Sequence, residues 1–333
     1  LIHDSRYTIY GLIEHMTENY TLNSTKSYHA EKLSTLGWEL TICNALYPEG
    51  TPLRKLLAHN ESFGSLLYDY LSKFVPVENV TRVLEVGGGY GYLMRDFLDR
   101  NRSLRACMID ISPVLLGKQK ETLQEFSVNY REEDFLETDE DVLSGFDLAI
   151  LNENLGDFPS LINLSSEIFN REIGHDNPVL MWVKGFFEKY NLERPQTVIF
   201  NVNIGAIEAL EKLCTVGIPY IYIGEHSCEA SVPDGLRSII RVESTGNPER
   251  ISLAGHDEYT IKFSHLEKVA TSHGYRSVRG SFADFIPIEM TDEIRFALSS
   301  GGHYSDESEM ICQFVEDLYK YEYLILMKKE TAI

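Results

Sequence analysis

The run Val83-Leu84-Glu85-Val86-Gly87-Gly88-Gly89-Tyr90-Gly91-Tyr92-Leu93 limits the possible folds more than any other stretch. It opens apolar, passes through glycines, and is followed by Met94, Phe97 and Leu98 at helical spacing. A strand ends, the chain turns tightly, and a helix begins. Glycine permits positive φ and lets backbone approach a bound molecule. The helix N-terminus adds oriented N–H groups. The spacing is GxGxG, at Gly87, Gly89 and Gly91, whereas a dinucleotide loop uses GxGxxG. Tyr92 fills the last dinucleotide position, which argues against a nicotinamide-dependent dehydrogenase. Glu85, two residues before the first glycine, suits a ligand with a cationic amino-acid end rather than a pyrophosphate. Tyr90 and Tyr92 flank the glycines, within reach of a ligand held there.

The surrounding pattern alternates. Strands are predicted at Arg82–Val86, Leu104–Ile109, Phe126–Tyr130, Phe146–Leu151, Thr197–Val202 and Tyr220–Ile223. Helices are predicted after the glycines, at Pro113–Leu123 and at Ala206–Leu213. Such alternation builds a parallel sheet from βαβ units. A helix at Ser264–His273, a strand at Tyr275–Phe282, a helix at Glu309–Leu318 and a buried strand at Tyr321–Met327 complete the reading. The first 75 residues read as an amphipathic helical cap, closed by Pro76. No clean linker interrupts the rest. The expected division is a cap over 1–75 and one α/β domain over 76–333, with insertions near 159–217, 228–262 and 283–320.

Charge narrows the function. Lys and Arg total 30 against 51 Asp and Glu, a formal net charge of −21. Nucleic-acid binders need a basic footprint, and so do proteins that dock on anionic lipid. Both partner classes are therefore excluded from the expectation. Apolar stretches such as Val179–Val183 and Tyr323–Met327 are only about strand length, far from the ~18 residues of a membrane helix. The five cysteines are odd in number and form no CxxC pair, which fits a reducing, cytoplasmic setting better than a disulfide scaffold.

Asp110 ends the second predicted strand, where an acid can accept hydrogen bonds from both ribose hydroxyls. Ile111 follows it. Glu85 with the three spaced glycines resembles motif I of class I S-adenosylmethionine (SAM)-dependent methyltransferases. In that pattern the acid after the third strand, here Asp134, binds the adenine amino group, and an apolar neighbour, here Phe135, covers the ring. The resemblance implies a Rossmann-like sheet, mostly parallel, with an antiparallel C-terminal strand, and SAM as cofactor.

Three segments are similar to one branch of those enzymes, the MidA family, which includes a mitochondrial arginine methyltransferase assisting complex I assembly. They are EVGGGYGYLMRDFL at Glu85–Leu98, IDISPVLLGKQKETL at Ile109–Leu123 and LNENLGDFP at Leu151–Pro159. Fainter echoes at Ser62–Leu67, Phe263–Ala270 and Phe285 extend the likeness over roughly 60–290. Gly88 stands where the family has proline. Gly156 stands where it has Asp, and Asp157 comes one place later.

The resemblance implies methyl transfer to a nitrogen acceptor, a protein arginine among the options. The alternatives are a small-molecule N- or O-methyltransferase and a non-catalytic assembly factor that uses the fold to bind a partner. Methyl transfer is an in-line displacement in which the enzyme aligns the reactants and handles one proton. Asn152 and Glu153 end the fourth strand, where open sheets bind ligands. Asn152 is assigned to the cofactor. Glu153 is expected to pair with a guanidinium through two hydrogen bonds, with Asp157 as a second acid. His226, after the next strand, is expected to take the proton, and His256 is a further option. Glu225, His226, Cys228 and Glu229 lack metal-ligand spacing, so no metal is assigned.

Overall fold

The computed structural model describes residues 20–33, 41–47, 49–170 and 177–329. The rest of the predicted cap, residues 1–19, 34–40 and 48, lies outside the described residues. In chain order, β1 (Thr21–Asn23) precedes a π-helical turn at Tyr28–Lys32, α1 (Ile42–Leu46) and α2 (Phe63–Leu71). Then come β2 (Arg82–Val86), α3 (Tyr92–Arg100), β3 (Arg105–Asp110), α4 (Pro113–Thr122), β4 (Val128–Glu132) and β5 (Leu148–Asn152). The chain continues through β6 (Ser160–Ser165), α5 (Pro178–Lys189), β7 (Ile199–Val202), α6 (Ile204–Val216) and β8 (Tyr220–His226). It ends with β9 (Arg250–Ser252), β10 (Asp257–Tyr259), α7 (Phe263–Ser272), β11 (Tyr275–Ser281), α8 (Asp292–Ser300), α9 (Asp306–Lys320) and β12 (Tyr321–Lys328).

Seven strands form the main sheet in the order β4-β3-β2-β5-β8-β12-β11. The first five run parallel, and β12 pairs antiparallel with both β8 and β11. This is the predicted α/β class, including its antiparallel final strand. Side chains alternate across each strand, so both faces of a central strand need cover. Leu148 and Ile150 of β5 pack with α2, α3, α8 and α9. Ala149 and Leu151 pack on the other face, with α5, α6 and α7. Local signals set the helix starts. The Ser112 side chain accepts from the Leu115 N–H, and Pro113 takes the first turn, where its missing N–H costs nothing.

Several sequence expectations change. Residues 199–202 are a strand, but β7 belongs to a separate antiparallel sheet, β1-β6-β7. The apolar run Val179–Val183, read from sequence only as too short for a membrane helix, lies in helix α5, because Pro178 and the Asn177 cap on the Leu180 N–H start a helix there. The described part of the cap is not only helical, since β1 pairs with β6. Within 159–217, α6 is the crossover between β5 and β8, so the added structure ends before it.

Candidate active site

Strand order reverses between β2 and β5, and open α/β sheets bind ligands outside the carboxyl ends at such a point. A cavity lies there. One wall comes from the main sheet: Glu85–Gly89, Asp110–Ile111, Glu133–Leu136 and Asn152–Asn154. The facing wall comes from Ser24–Lys26, His29, Thr41, Cys43 and Asn44 of the N-terminal segment.

The glycine loop has the conformation its sequence predicts. Gly87, Gly89 and Gly91 have φ of +60°, +51° and +82°. At Gly87 a Cβ would also meet Asn154 Nδ2 at 2.7 Å. That Nδ2 donates to the Val86 carbonyl, so the turn after β2 packs against the turn after β5. Gly91 is the N-cap of α3.

Glu85 is 2% exposed, and its Oε2 has no hydrogen-bond partner. Burial pushes its carboxyl well above the usual range, and the nearby Asp110 charge pushes it further. Asn154 likewise keeps a buried oxygen unpartnered. Buried acceptors without partners are costly unless a ligand supplies donors. A cationic amino group is such a donor, so Glu85 fits the amino-acid end of SAM.

Asp110 is also buried. Its Oδ1 accepts from the Ser112 N–H at 2.9 Å, and its Oδ2 accepts from Gln119 Nε2 at 2.8 Å. Burial raises its carboxyl to about 6, and those two hydrogen bonds hold the rise back. Gln119 Nε2 donates to the Gly89 carbonyl as well, at 3.1 Å, which ties the acid to the glycine loop. Asp134 accepts from the Leu136 N–H at 2.9 Å and pairs with Lys26 Nζ at 2.9 Å. Phe135, buried, and Ile111 complete the sheet side of this part of the cavity.

Glu153 sits in the left-handed region, at φ +53°. Its Oε2 accepts from the Ile42 N–H at 2.7 Å. Its Oε1 accepts from the Cys43 N–H at 3.1 Å and from Asn152 Nδ2 at 2.9 Å. The acid thus binds the first turn of α1, far away in sequence. Burial raises it to about 7, against the pull of those amides. Asp157 Oδ1 lies 2.8 Å from His29 Nε2 and 3.6 Å from His256 Nε2. Burial opposes protonation of His29, but the hydrogen bond and charge of Asp157 win and raise it.

Most of the expected site residues therefore meet at one cavity. Two do not line it. His226 stacks on Tyr321 with ring centroids 3.8 Å apart, and its Nε2 is 4.0 Å from Asp317. Tyr90 packs edge-on against Tyr92, which does line the cavity and stacks on Tyr47 at 3.7 Å. Lys26, His29, Cys43, Asn154 and Gln119 were not expected as site residues. Gln119 and Asn154 adjoin or belong to motif segments and were legible in principle. The other three reach the cavity only through tertiary packing.

Residues 66–174 match the family model described as "Putative S-adenosyl-L-methionine-dependent methyltransferase". The match contains every lining residue that the main sheet supplies. On that match the chain is a SAM-dependent methyltransferase, and SAM is its cofactor. No curated protein sequence matches the chain. Among solved structures, an uncharacterized superfamily protein from Burkholderia thailandensis is similar in fold. It has 11% identity and a TM-score of 0.50, over 86% of this chain and 84% of that one. A second Burkholderia thailandensis protein of that superfamily, bound to S-adenosyl-homocysteine, shows 12% identity and a TM-score of 0.47 over 80% and 76%. The plantazolicin methyltransferase BpumL in complex with SAH shows 13% identity and a TM-score of 0.44 over 92% and 95%. Among the described residues, no helix is long and apolar enough to cross a membrane.

Proposed function

We propose that this chain is a MidA-like methyltransferase acting on a nitrogen acceptor, with a protein arginine the leading case. The unpartnered, buried Glu85 Oε2 beside the glycine loop carries the reading. In this assignment Glu85 and the backbone of Gly87, Gly89 and Gly91 receive the amino-acid end of SAM. Asp110 takes the ribose hydroxyls, Asp134 the adenine amino group, and Ile111 and Phe135 the ring faces. Asn152 orients Glu153. The cap over 1–75 and the catalytic domain over 76–333 belong to the same reading, supported by Lys26, His29 and Cys43 facing the cavity.

Bound SAM supplies a methyl group on a cationic sulfur. The chain's own residues align the acceptor and accept its proton. Glu153 pairs with two N–H groups of the acceptor, as it now pairs with Ile42 and Cys43. Asp157, with His29 at 2.8 Å, stands beside it as the second acid. His226, stacked on Tyr321 outside the cavity, is a weaker choice of base than the sequence suggested.

Titration calorimetry with SAM tests the first half. A folded protein that binds no SAM at millimolar concentration ends the proposal. Labelled SAM with lysate protein, followed by mass spectrometry, tests the acceptor and locates the modified atom.

One observation favours a small-molecule acceptor instead. Both Glu153 oxygens are already held by cap amides, so an arginine guanidinium must displace them, whereas a small molecule held elsewhere in the cavity need not. Label entering metabolites but never protein selects that reading. Partner binding that ignores both SAM and Glu153→Ala selects the assembly-factor reading. Five free cysteines support a reducing, cytoplasmic location.

A further inference from the structure

We propose that His29, His256 and Asp157 form a binding site for one divalent transition-metal ion of the zinc class. The three come from separate parts of the chain: the π-helical turn, the segment before β10, and the turn after β5. Among the described residues their ligand atoms all lie within 4.8 Å of one another. Both imidazoles present Nε2 to the same oxygen, Asp157 Oδ1, at 2.8 and 3.6 Å.

Hydrogen bonding accounts for this arrangement only in part. His256 is nearly enclosed, with its side chain 4% exposed. Its Nε2 also faces Glu258 Oε1 at 3.2 Å, so one nitrogen confronts two carboxylates. It can carry only one proton. A divalent ion between His29 Nε2, His256 Nε2 and Asp157 Oδ1 takes one lone pair from each and offsets the charges of Asp157 and of the neighbouring Glu258. Donor atoms bonded at about 2.0 Å to a tetrahedral ion stand about 3.3 Å apart. The two distances from Asp157 Oδ1 to the imidazole nitrogens, 2.8 and 3.6 Å, bracket that separation.

Two imidazoles and a carboxylate suit zinc and its first-row neighbours rather than calcium or magnesium, which prefer oxygen alone. Three protein ligands leave a coordination position open. His29 and Asp157 line the cofactor cavity, so that position adjoins it. Tyr28 closes the opposite side, stacked on His256 at 4.2 Å and edge-on to His29 at 5.3 Å. The inference does not rest on methyl transfer, since metal binding is measurable without SAM.

The test uses full-length protein stripped with chelator, then titrated with ZnCl2. One ion per chain is expected, with His29→Gln and His256→Gln each weakening binding by at least about tenfold. His303→Gln, an exposed histidine elsewhere, leaves binding unchanged. Circular dichroism checks that each variant folds. Should either variant unfold, the Co2+ absorption spectrum of the wild type decides. An intense visible band of four-coordinate nitrogen–oxygen ligation supports the site, and a weak octahedral spectrum overturns it. Equal zinc affinity in the wild type and a folded His29→Gln/His256→Gln protein also overturns it, as does no zinc binding at millimolar concentration.

Discussion

The two walls of the cavity are built in different ways. The wall proposed to hold the cofactor draws on one stretch from Glu85 to Phe135, joined by bonds such as Ser112 to Asp110 and Gln119 to Gly89. The facing wall is joined across the chain. His29 meets Asp157 over 128 residues, and Ile42 meets Glu153 over 111. The cofactor wall is drawn from one segment of the chain. The other wall exists only when the N-terminal segment has docked. Damage to the first should therefore remove SAM binding, and damage to the second should spare it.

The largest effect is expected in the glycine loop. Gly89→Val forces a β-branched residue to φ +51°, at a strain of about 1–3 kcal/mol, and places bulk where the ligand approaches. Calorimetry should show SAM binding reduced beyond detection with the fold intact. Normal binding would mean that the loop is not the cofactor site.

Glu153 ends a strand of the sheet wall but is bonded to the N-terminal one, and in Glu153→Gln turnover should fall about 100-fold while SAM affinity changes little. Steady-state kinetics beside calorimetry reads both. A parallel loss of SAM affinity would erase the contrast between the walls. The same variant has a stability signature. The folded carboxyl is raised from 4.5 to about 7, so the native state holds this proton more tightly than the unfolded chain. That contribution is complete below pH 4.5 and is lost as pH rises to about 7. Wild type should lose urea stability relative to Glu153→Gln across that window.

Glu85→Gln should weaken SAM binding by about tenfold, near 1.4 kcal/mol. Because the free Glu85 carboxyl is raised by burial and a cationic ligand favours its ionised form, wild-type affinity should climb with pH. Calorimetry in buffers of different ionisation heat should detect proton release on binding. A flat profile would remove Glu85 from the ligand's cationic end.

Lys26→Ala gives the smallest change. Its side chain is half exposed, so loss of the Asp134 pair should cost less than about 1 kcal/mol. SAM affinity should move by a few-fold at most.

The same division explains what could be read from sequence. The seven main strands were all legible, the central ones as short apolar runs beside a turn signal and β4 and β11 from their place in the alternation, and so was the local cofactor wall. Strand β6 was not. Ser160–Ser165 carries Asn163 at φ +62° and pairs at its edge with β1, a partner 139 residues away at Leu22 and Leu161. Glu153 was singled out for its place at a strand end. Its hold on Ile42 and Cys43 was hidden, since no spacing rule links residues so far apart. His256 was noticed beside Asp257, whereas it faces Asp157 and Glu258.

The N-terminal segment is fastened to the far wall by side chains at Thr25, Lys26 and His29 and by the amides of Ile42 and Cys43. These attachments ring the place assigned to SAM. A molecule seated there would lie between the sheet and this strap. Strap release that limits turnover would make the rate fall as solvent viscosity rises.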